Sequence, residues 1–333
     1  MRLDRLGDLV LTLPAIYSVH NNFPNADIDL VVNRQLVGLV DNISFIRKIY
    51  SINPYKFYIL ELLKLIFSLR INKYDMAIDL LPRASHLSSV VLFAIKSKNK
   101  IGVAVGLRKY VINFKVHLTK KIKYQRDVVF EILEHLGLSV DKKVNMIIDK
   151  STQNYVQDFF QTKKITKKDV VVGLSPGASE EFKMWPAKNF GELIKKISKN
   201  CICKFVLLGS KKEKSLCQEI NNFSENLAIN AAGFLDIKQL CACINNLDLF
   251  IGNNSGPMHI AHTLDTPSII ISGFANPKRW TLPKPNFIVV HKDTQDFESN
   301  QLAASDISSI TVDDVFNETE KLLRLCKKGA LCK

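Results

Sequence analysis

Apolar runs of strand length alternate with amphipathic helical patterns along most of this chain. Residues 26–33 and 74–80 have the pattern of strands, and residues 57–71 between them repeat apolar side chains at helical spacing. Residues 169–174 (DVVVGL) form a continuous, mostly β-branched run, which is typical of a strand buried on both faces. Strands that alternate with helices in this way predict parallel sheets covered by helices on both faces, and therefore an α/β fold.

The length of the chain predicts two domains, since 333 residues correspond to about two domains of ~150 residues each. A polar, Lys-rich stretch at residues 150–168 marks the junction. We expect an N-terminal domain at 1–160, a C-terminal domain at 161–311 and a final helical segment at 312–333. The other predicted strands are 100–105, 111–114, 204–208, 247–251 and 268–272, and the other predicted helices are 9–16, 128–136, 155–160, 190–199, 212–220, 237–244, 257–264 and 312–326.

Positive charge is concentrated in one segment of a chain whose net charge is +14. Residues 96–126 hold ten Lys or Arg and no Asp or Glu. Such a field attracts nucleic acid, acidic lipid headgroups or an acidic substrate, and a solvated basic face without a partner is the alternative. The segment lacks regularly interleaved aromatic residues, and no zinc-finger, RRM or KH signature is present, which argues against a nucleic-acid-binding protein.

The sequence predicts a cytoplasmic protein. No apolar run approaches the ~18–20 residues that span a bilayer, and the first residues lack the ordered regions of a secretory signal peptide. Seven cysteines without a framework spacing fit a reducing compartment. The two C-x-C pairs, at 201/203 and 241/243, do not have the spacing of zinc ligands, so we expect buried, unmodified thiols on a strand and a helix.

The motifs that are absent exclude several enzyme classes. The chain has no G-x-G-x-x-G after a strand, no P-loop, no H-E-x-x-H and no G-x-S-x-G. In open α/β sheets, ligands bind beyond the carboxyl ends of the strands, and three turns of unusual composition lie at such positions. In the first turn, Gly7 permits a tight bend and Asp8 lies at the start of a helix, where the macrodipole favours an ionised carboxylate. Asp8 is therefore either a helix cap or a functional carboxylate.

The other two turns have the composition of anion-binding loops. Residues 175–179 (SPGAS) follow a buried strand, and Lys183 a few residues later provides a point charge for a phosphate, or is a solvated lysine in a plain loop. Residues 252–259 (GNNSGPMH) place a glycine turn at the start of a helix, which is an anion site of the helix N-terminus type. His259 lies close enough in sequence to donate to the same ligand, although a lone histidine is usually structural.

Three motifs together resemble glycosyltransferase family 9, the heptosyltransferases of lipopolysaccharide core assembly. They are RLDRLGDLVLTLPAI, SPGAS followed by KMWP, and IGNNSGPMHIAHTL, and they occur in the order of the family across nearly the whole chain. The resemblance implies a GT-B architecture, in which two Rossmann-like domains with parallel sheets face a central cleft and the final helix crosses back to the first domain. It also implies inverting transfer from a nucleotide sugar, with neither a metal nor a cofactor.

The resemblance further implies roles for individual residues. Asp8 corresponds to the general base of the family, and Lys183, with Ser179 four positions earlier, to the residues that contact the donor phosphate. Glu213 corresponds to the acid that binds the ribose, and Leu235 to a position that touches the adenine. The diphosphate turn corresponds to Asn254, Ser255, Gly256 and His259.

The partners implied by the resemblance are a nucleotide-sugar donor, ADP-heptose, and the lipopolysaccharide core as acceptor, with no nucleic acid. The basic segment at 96–126 falls in the acceptor-side domain. An acceptor that carries carboxylates and phosphates at the inner membrane surface suits such a segment. We therefore expect a cytoplasmic enzyme at the periphery of the inner membrane.

The chain departs from the family pattern at two places. Asn254-Ser255-Gly256 stands where members often have Asp-Ser-Gly or Asp-Thr-Gly, which removes a negative charge and bears on donor preference. Only Met1 precedes the R-x-x-x-x-G-D element, which begins at Arg2, whereas members of the family have a complete first strand there, so we expect a shortened first strand. Three alternatives stay open: a family 9 transferase with another nucleotide sugar or glycan acceptor, a catalytically impaired relative that only binds nucleotide, and a nucleic-acid-binding protein of the same fold class.

Overall fold

The computed structural model describes residues 1–56, 58–119, 124–142, 146–273, 280–281, 284–291 and 306–325. The chain divides into two units, Met1–Ile147 and Ile148–Lys333. The division precedes the Lys-rich stretch, because that stretch folds as a helix, Lys150–Thr162, which packs against the second-unit helix Ile237–Asn245.

The first unit contains helices and strands in alternation, as predicted. Its helices are α1 (Leu6–Asn22), α2 (Ile59–Arg70), α3 (His86–Ala94) and α4 (Gln125–Glu134), and its strands are β1 (Ile28–Asn33), β2 (Ile46–Ile52), β3 (Tyr74–Ile78), β4 (Ser97–Val103) and β5 (Phe114–Val116).

Residues 1–3 join two small parallel sheets, β1-β2 and β3-β4-β5. The backbone N–H of Arg2 donates to the carbonyl of Val31 at 2.9 Å, and Arg2 pairs with Val32 in parallel. On the other side, the Met1 amine donates to the carbonyl of Ile78 at 2.7 Å, and the N–H of Leu80 to the carbonyl of Met1 at 3.1 Å. The spatial order is therefore β2, β1, residues 1–3, β3, β4, β5, and the direction of winding reverses between residues 1–3 and β3.

The second unit is built around one six-stranded parallel sheet. Its strands are β6 (Val171–Ser175), β7 (Lys204–Leu207), β8 (Ala228–Asn230), β9 (Leu249–Asn253), β10 (Ser268–Ile271) and β11 (Phe287–Val290). Its helices are α5 (Lys150–Thr162), α6 (Ala187–Asn200), α7 (Lys214–Phe223), α8 (Ile237–Asn245), α9 (Gly256–Thr263) and α10 (Val312–Arg324).

The strand order in this sheet is β11-β10-β9-β6-β7-β8, and every pair is parallel. The chain therefore winds outward from β6 in one direction and then from β9 in the other. Ligands of doubly wound sheets bind beyond the strand ends at the point where the order reverses. This point lies between β6 and β9 in the second unit.

The helical periodicities identified in the sequence match the buried faces. Leu62, Leu65 and Leu69 of α2 are buried in one core cluster, as their spacing predicts. Each such side chain stabilises the fold by about 1.5–3 kcal/mol relative to an exposed one.

The final helix α10 packs against α6 and the β10–β11 edge of the second unit. Residues 326–333 lie outside the described part of the chain, and a crossing of this segment to the first domain stays a prediction.

Two local predictions were wrong. The strand predicted at 111–114 begins only at Phe114. The residues before it follow directly on the 3-10 turn Gly106–Tyr110, and the N–H of Lys100 donates to the side chain of Asn113, at 2.7 Å, instead of to a strand carbonyl. The expectation of unmodified thiols holds for Cys203, Cys241 and Cys243, whereas Cys201 is disulfide-bonded.

Within the described residues, none of the helices combines the length and the apolar character needed to cross a bilayer.

Candidate active site

The first predicted turn lies at the reversal point of the first unit, between the end of residues 1–3 and the end of β3. Asp8 occupies the first turn of α1, and its side chain is 17% exposed. The Nη2 of Arg2 donates to Oδ1 of Asp8 at 3.2 Å. Arg2 itself is buried, because residues 1–3 hold it between two strands.

A network of alternating charges surrounds Asp8. The same Arg2 Nη2 lies 3.4 Å from Oδ2 of Asp4, and Arg83 Nη2 donates to Oδ1 of Asp4 at 2.5 Å. The Nη1 of Arg2 also donates to the carbonyl of Leu80. Two carboxylates and two guanidinium groups thus meet beyond the ends of two neighbouring strands, and Asp8 retains some exposure to solvent.

Burial raises the pKa of Asp8 above its ordinary value, and the carboxylate of Asp4 adds to this. The charges of Arg2 and Arg83 oppose the rise without reversing it. Desolvation therefore outweighs the neighbouring positive groups, and it acts against the helix start, which by itself would favour the ionised carboxylate. A carboxylate with a raised pKa is a stronger proton acceptor once it is ionised.

A buried ion pair fixes the segment that carries Arg83. Arg108 Nη1 lies 2.5 Å from Oδ2 of Asp79, and both side chains are shielded from solvent. Arg108 also donates to the carbonyl of Arg83 at 3.0 Å, and Ser88 donates to Asp79. The position of Arg83 beside Asp4 is therefore determined by groups packed beneath the site.

In the second unit, the two predicted glycine turns meet at the reversal point between β6 and β9. The side-chain amide of Asn253, at the end of β9, donates to the carbonyl of Pro176 at 2.6 Å. Its side-chain oxygen accepts the N–H of Trp185 at 3.0 Å. Asn253 is fully buried, so it fastens both ends of the loop that contains Ser179 and Lys183.

Glu213 belongs to the same group of loops. Its side chain accepts the N–H of Ser210 at 2.6 Å and lies directly against Gly177, where a Cβ atom would fall 1.6 Å from Oε1. A side chain at position 177 would displace the Glu213 carboxylate from the β6 loop. Leu235 is half-buried just before α8, at the end of the neighbouring strand β8. The structure thus brings Glu213 to the turn at 175–179 and places Leu235 one strand further out.

Lys183 and Ser179 lie on the more open part of the loop. Ser179 is exposed, and Lys183 ends the short 3-10 turn Glu181–Lys183. The ammonium of Lys183 pairs with the carboxylate of Glu180 and lies 5.3 Å from the centre of the Phe182 ring. An anionic ligand of Lys183 would therefore have to replace Glu180.

The start of α9 presents buried polar atoms that have no hydrogen-bond partner in the described part of the chain. Ser255 is the N-cap of the helix, yet its side chain makes no capping bond, and its Oγ is buried without a hydrogen-bond partner among the described residues. The Nδ1 of His259 is also buried and, within the same part of the chain, unpartnered. Asn254 and Gly256 are half-buried beside them. Buried polar atoms at a helix start that can donate hydrogen bonds, as Ser255 Oγ can, fit an anionic ligand.

The two histidines of α9 predict a loss of stability in mild acid. Burial lowers the pKa of His259 to about 4 and that of His262 to about 3, with His259 and Lys284 contributing at His262. The unfolded chain takes up these protons near pH 6.5, so the free energy of unfolding should decrease as the pH falls from 7 to 5, by up to about 1.4 kcal/mol per pH unit for each histidine.

Chemical denaturation at several pH values measures this slope. The variant His262→Phe keeps a ring against Phe287, whose centre is 4.3 Å away, and should show about half the slope of the wild type. An unchanged slope in this variant would assign the acid sensitivity to other groups.

No group of three or more His, Cys, Asp or Glu side chains suited to a metal ion occurs among the residues that the structure describes. The independence from metal and cofactor implied by the resemblance stays a prediction.

Sequence reasoning missed Arg2, Asp4, Arg83 and Asn253. Arg2, Asp4 and Asn253 lie within quoted motifs, and Arg83 lies three residues after a predicted strand, so these signals could have found them. The pairing of Arg83 with Asp4, 79 residues away, had no local signal.

The two units, each with parallel strands that reverse their order beside a polar site, have the GT-B fold of the α/β class. Residues 62–304 match the sequence model of Glycosyltransferase family 9 (heptosyltransferase). This chain belongs to glycosyltransferase family 9 and is a glycosyltransferase. The predicted family and enzyme class are confirmed.

A named relative and two solved structures align with almost the whole chain. Lipopolysaccharide heptosyltransferase 1 of Campylobacter coli is 25% identical over 347 residues, covering 98% of this chain and 97% of that protein. The glycosyl transferase family 9 structure from Veillonella parvula has a TM-score of 0.84 at 22% identity, covering 96% of this chain and 95% of that one. The Escherichia coli ADP-heptose lps heptosyltransferase II has a TM-score of 0.76 at 18% identity, covering 96% and 97%. The structural likeness confirms the predicted fold.

Proposed function

We propose that this enzyme transfers a heptose from ADP-heptose to the inner core of lipopolysaccharide, with inversion at the anomeric carbon and Asp8 as general base. The names of the relatives support the sugar and the acceptor. The single observation in this chain that carries the proposal is the start of α9, where Ser255 and His259 hold buried polar atoms without described partners. A cytoplasmic location at the inner membrane surface belongs to the same proposal.

In the proposed step, the acceptor hydroxyl oxygen forms a bond to the anomeric carbon while its proton passes to a carboxylate oxygen of Asp8. The bond between the anomeric carbon and the diphosphate oxygen breaks, and its electron pair leaves with ADP. Attack opposite to the leaving group inverts the configuration. The raised pKa of Asp8 and its remaining exposure support the role of proton acceptor.

The leaving diphosphate gains negative charge as the bond breaks. We assign its stabilisation to Lys183, Ser179 and the helix start at Asn254, Ser255 and Gly256, with His259 donating from the first turns of α9. Glu213 is assigned to the ribose and Leu235 to the adenine. Asn253 is a positioning residue, because its amide holds the Lys183 loop and the α9 turn together.

Nucleotide binding tests the donor half of the proposal. ADP at millimolar concentration should raise the melting temperature, because a ligand that binds only the native state stabilises it. Lys183→Ala should weaken ADP binding roughly 10- to 100-fold, since a charge-assisted contact contributes about 1.5–3 kcal/mol.

Lys188→Ala is the matched control, because Lys188 is an exposed lysine on the following helix that pairs with Glu192 at 3.8 Å. It should bind ADP like the wild type. A wild-type protein that no nucleoside diphosphate stabilises contradicts the proposal. A shift with another nucleoside diphosphate but not with ADP would replace the donor, and equal affinities of the two variants would remove Lys183 from the site.

A further inference from the structure

Helix α2 is apolar on both of its faces. Its inner face holds buried leucines in the core, as described above. Its outer face carries a second apolar stripe at helical spacing: Leu60, Leu63 and Phe67, continued by Ile71 just beyond the helix. Phe67 and Ile71 are each 70% exposed. An exposed apolar stripe on the outer side of a helix is unusual on a protein surface unless a further partner covers it.

Helix α3 extends this apolar surface. Its inner residues Val91 and Leu92 are buried in the same core cluster as the inner face of α2, so the two helices cover one layer together. On its outer side, Val90 is 42% and Phe93 71% exposed. We call the exposed apolar residues of both helices the α2–α3 face: Leu60, Leu63, Phe67, Ile71, Val90 and Phe93.

Basic side chains border the α2–α3 face. The segments that form and flank the face, residues 56–73 and 86–100, together contain seven Lys or Arg and one acidic residue. A further acidic residue, Asp75, lies between them on β3. The acidic residue within the segments, Glu61, is neutralised by Arg34 at 3.0 Å. Six of the seven basic residues are exposed: Lys56, Lys64, Arg70, Lys73, Lys96 and Lys98.

The seventh basic residue connects the charges with the apolar face. The ammonium of Lys100 lies 5.9 Å from the centre of the Phe93 ring and donates to the Phe93 carbonyl at 2.9 Å. Burial lowers the pKa of Lys100, and the charge of Arg70 lowers it further. A cation held beside an exposed aromatic ring, with the positive charge of Arg70 acting on it, favours an anion beside this face.

We propose that the α2–α3 face docks on a membrane surface that contains anionic phospholipids. Aromatic and aliphatic side chains would enter the boundary between headgroups and acyl chains, while the long Lys and Arg side chains reach the phosphates. Each basic residue near such a surface adds to the electrostatic attraction. The choice of a lipid partner rests on the proposed function, whose acceptor is a lipopolysaccharide, whereas the surface itself is defined by exposure and charge.

Vesicle sedimentation tests this docking surface. The full chain should bind phosphatidylglycerol vesicles, bind phosphatidylcholine vesicles much more weakly, and lose affinity as salt is raised. The double variant Phe67→Ser, Phe93→Ser should bind at least roughly tenfold more weakly, because two apolar side chains no longer leave water.

A pair of matched variants locates the effect. Ile71 and Ile202 are exposed to 70% and 72%, and Ile202 belongs to the second unit. Ile71→Ser should weaken vesicle binding, whereas Ile202→Ser should not. Unchanged melting temperatures verify that both variants fold.

Three results would overturn the proposal: no binding of the wild type to anionic vesicles, equal binding by the two isoleucine variants, or self-association through the α2–α3 face in the absence of lipid. The stabilisation by ADP is measured on the same proteins. Its absence would contradict the proposed function, and its presence without vesicle binding would contradict only the docking surface.

Discussion

Asp8→Asn is expected to lower turnover by about 10²–10⁴-fold while leaving ADP binding unchanged. Asparagine keeps the shape of the side chain and an oxygen that can face Arg2, but it cannot accept the proton of the acceptor hydroxyl. Release of ADP in the presence of donor and acceptor measures the rate. For the wild type, the rate should fall in acid as Asp8 becomes protonated, at a pH above the ordinary carboxyl range because burial raises the pKa of Asp8.

The matched control for this variant is Asp127→Asn. Asp127 lies in the first turn of α4 in the same unit, so it has the same relation to a helix start without contact to Arg2 or Asp4. It should turn over normally. If Asp8→Asn unfolds, Asp8 is a structural cap, and if it stays folded with a normal rate, another group accepts the proton.

Asp79→Ala is expected to destabilise the protein by about 3–5 kcal/mol, because it leaves the guanidinium of Arg108 buried without its carboxylate. Chemical denaturation measures the free energy of unfolding. Ser88 and the backbone of Leu81 lose their acceptor in the same variant. Since Arg108 also holds the carbonyl of Arg83, the variant should disturb the charges around Asp4 and Asp8 as well.

An exposed ion pair of the same unit provides the comparison. Arg47 contacts Asp27 at 3.0 Å, where the aspartate is 74% exposed. Asp27→Ala should change the free energy of unfolding by less than about 1 kcal/mol. A similarly small effect of Asp79→Ala would mean that water or a rearranged side chain compensates Arg108, and that the pair does not support the site.

The local patterns of the sequence were sufficient for much of this architecture. Continuous β-branched runs correctly located β6 and β10, and helical spacing correctly identified the buried face of α2. Gly137 follows α4 with a φ of +73°, a backbone conformation that favours glycine. The turns that follow buried strands held most of the predicted site residues, because parallel strands bring their carboxyl ends to one edge.

Other helices and strands have no sequence pattern that is strong enough to predict them. Strands β8 and β11 contain only three and four residues, and each is defined by its parallel pairing with a neighbouring strand, β7 and β10 respectively. Helix α3 is an apolar run that periodicity does not distinguish from a buried strand. Its exposed outer side, and that of α2, became visible only when the inner faces were packed on one core.

The sequence by itself determined the α/β class, the family and the segments that supply the candidate site. The tertiary structure decided which of those segments meet: Asn253 reaches Pro176 across 77 residues, Glu213 closes on Gly177, and Arg2 is buried beside Asp8 between two strands. The physical reason is that periodicity reports the environment of one helix or strand at a time. Contacts between loops depend on strand order and the hand of the crossovers, and the pKa of Asp8 depends on the burial that results from them.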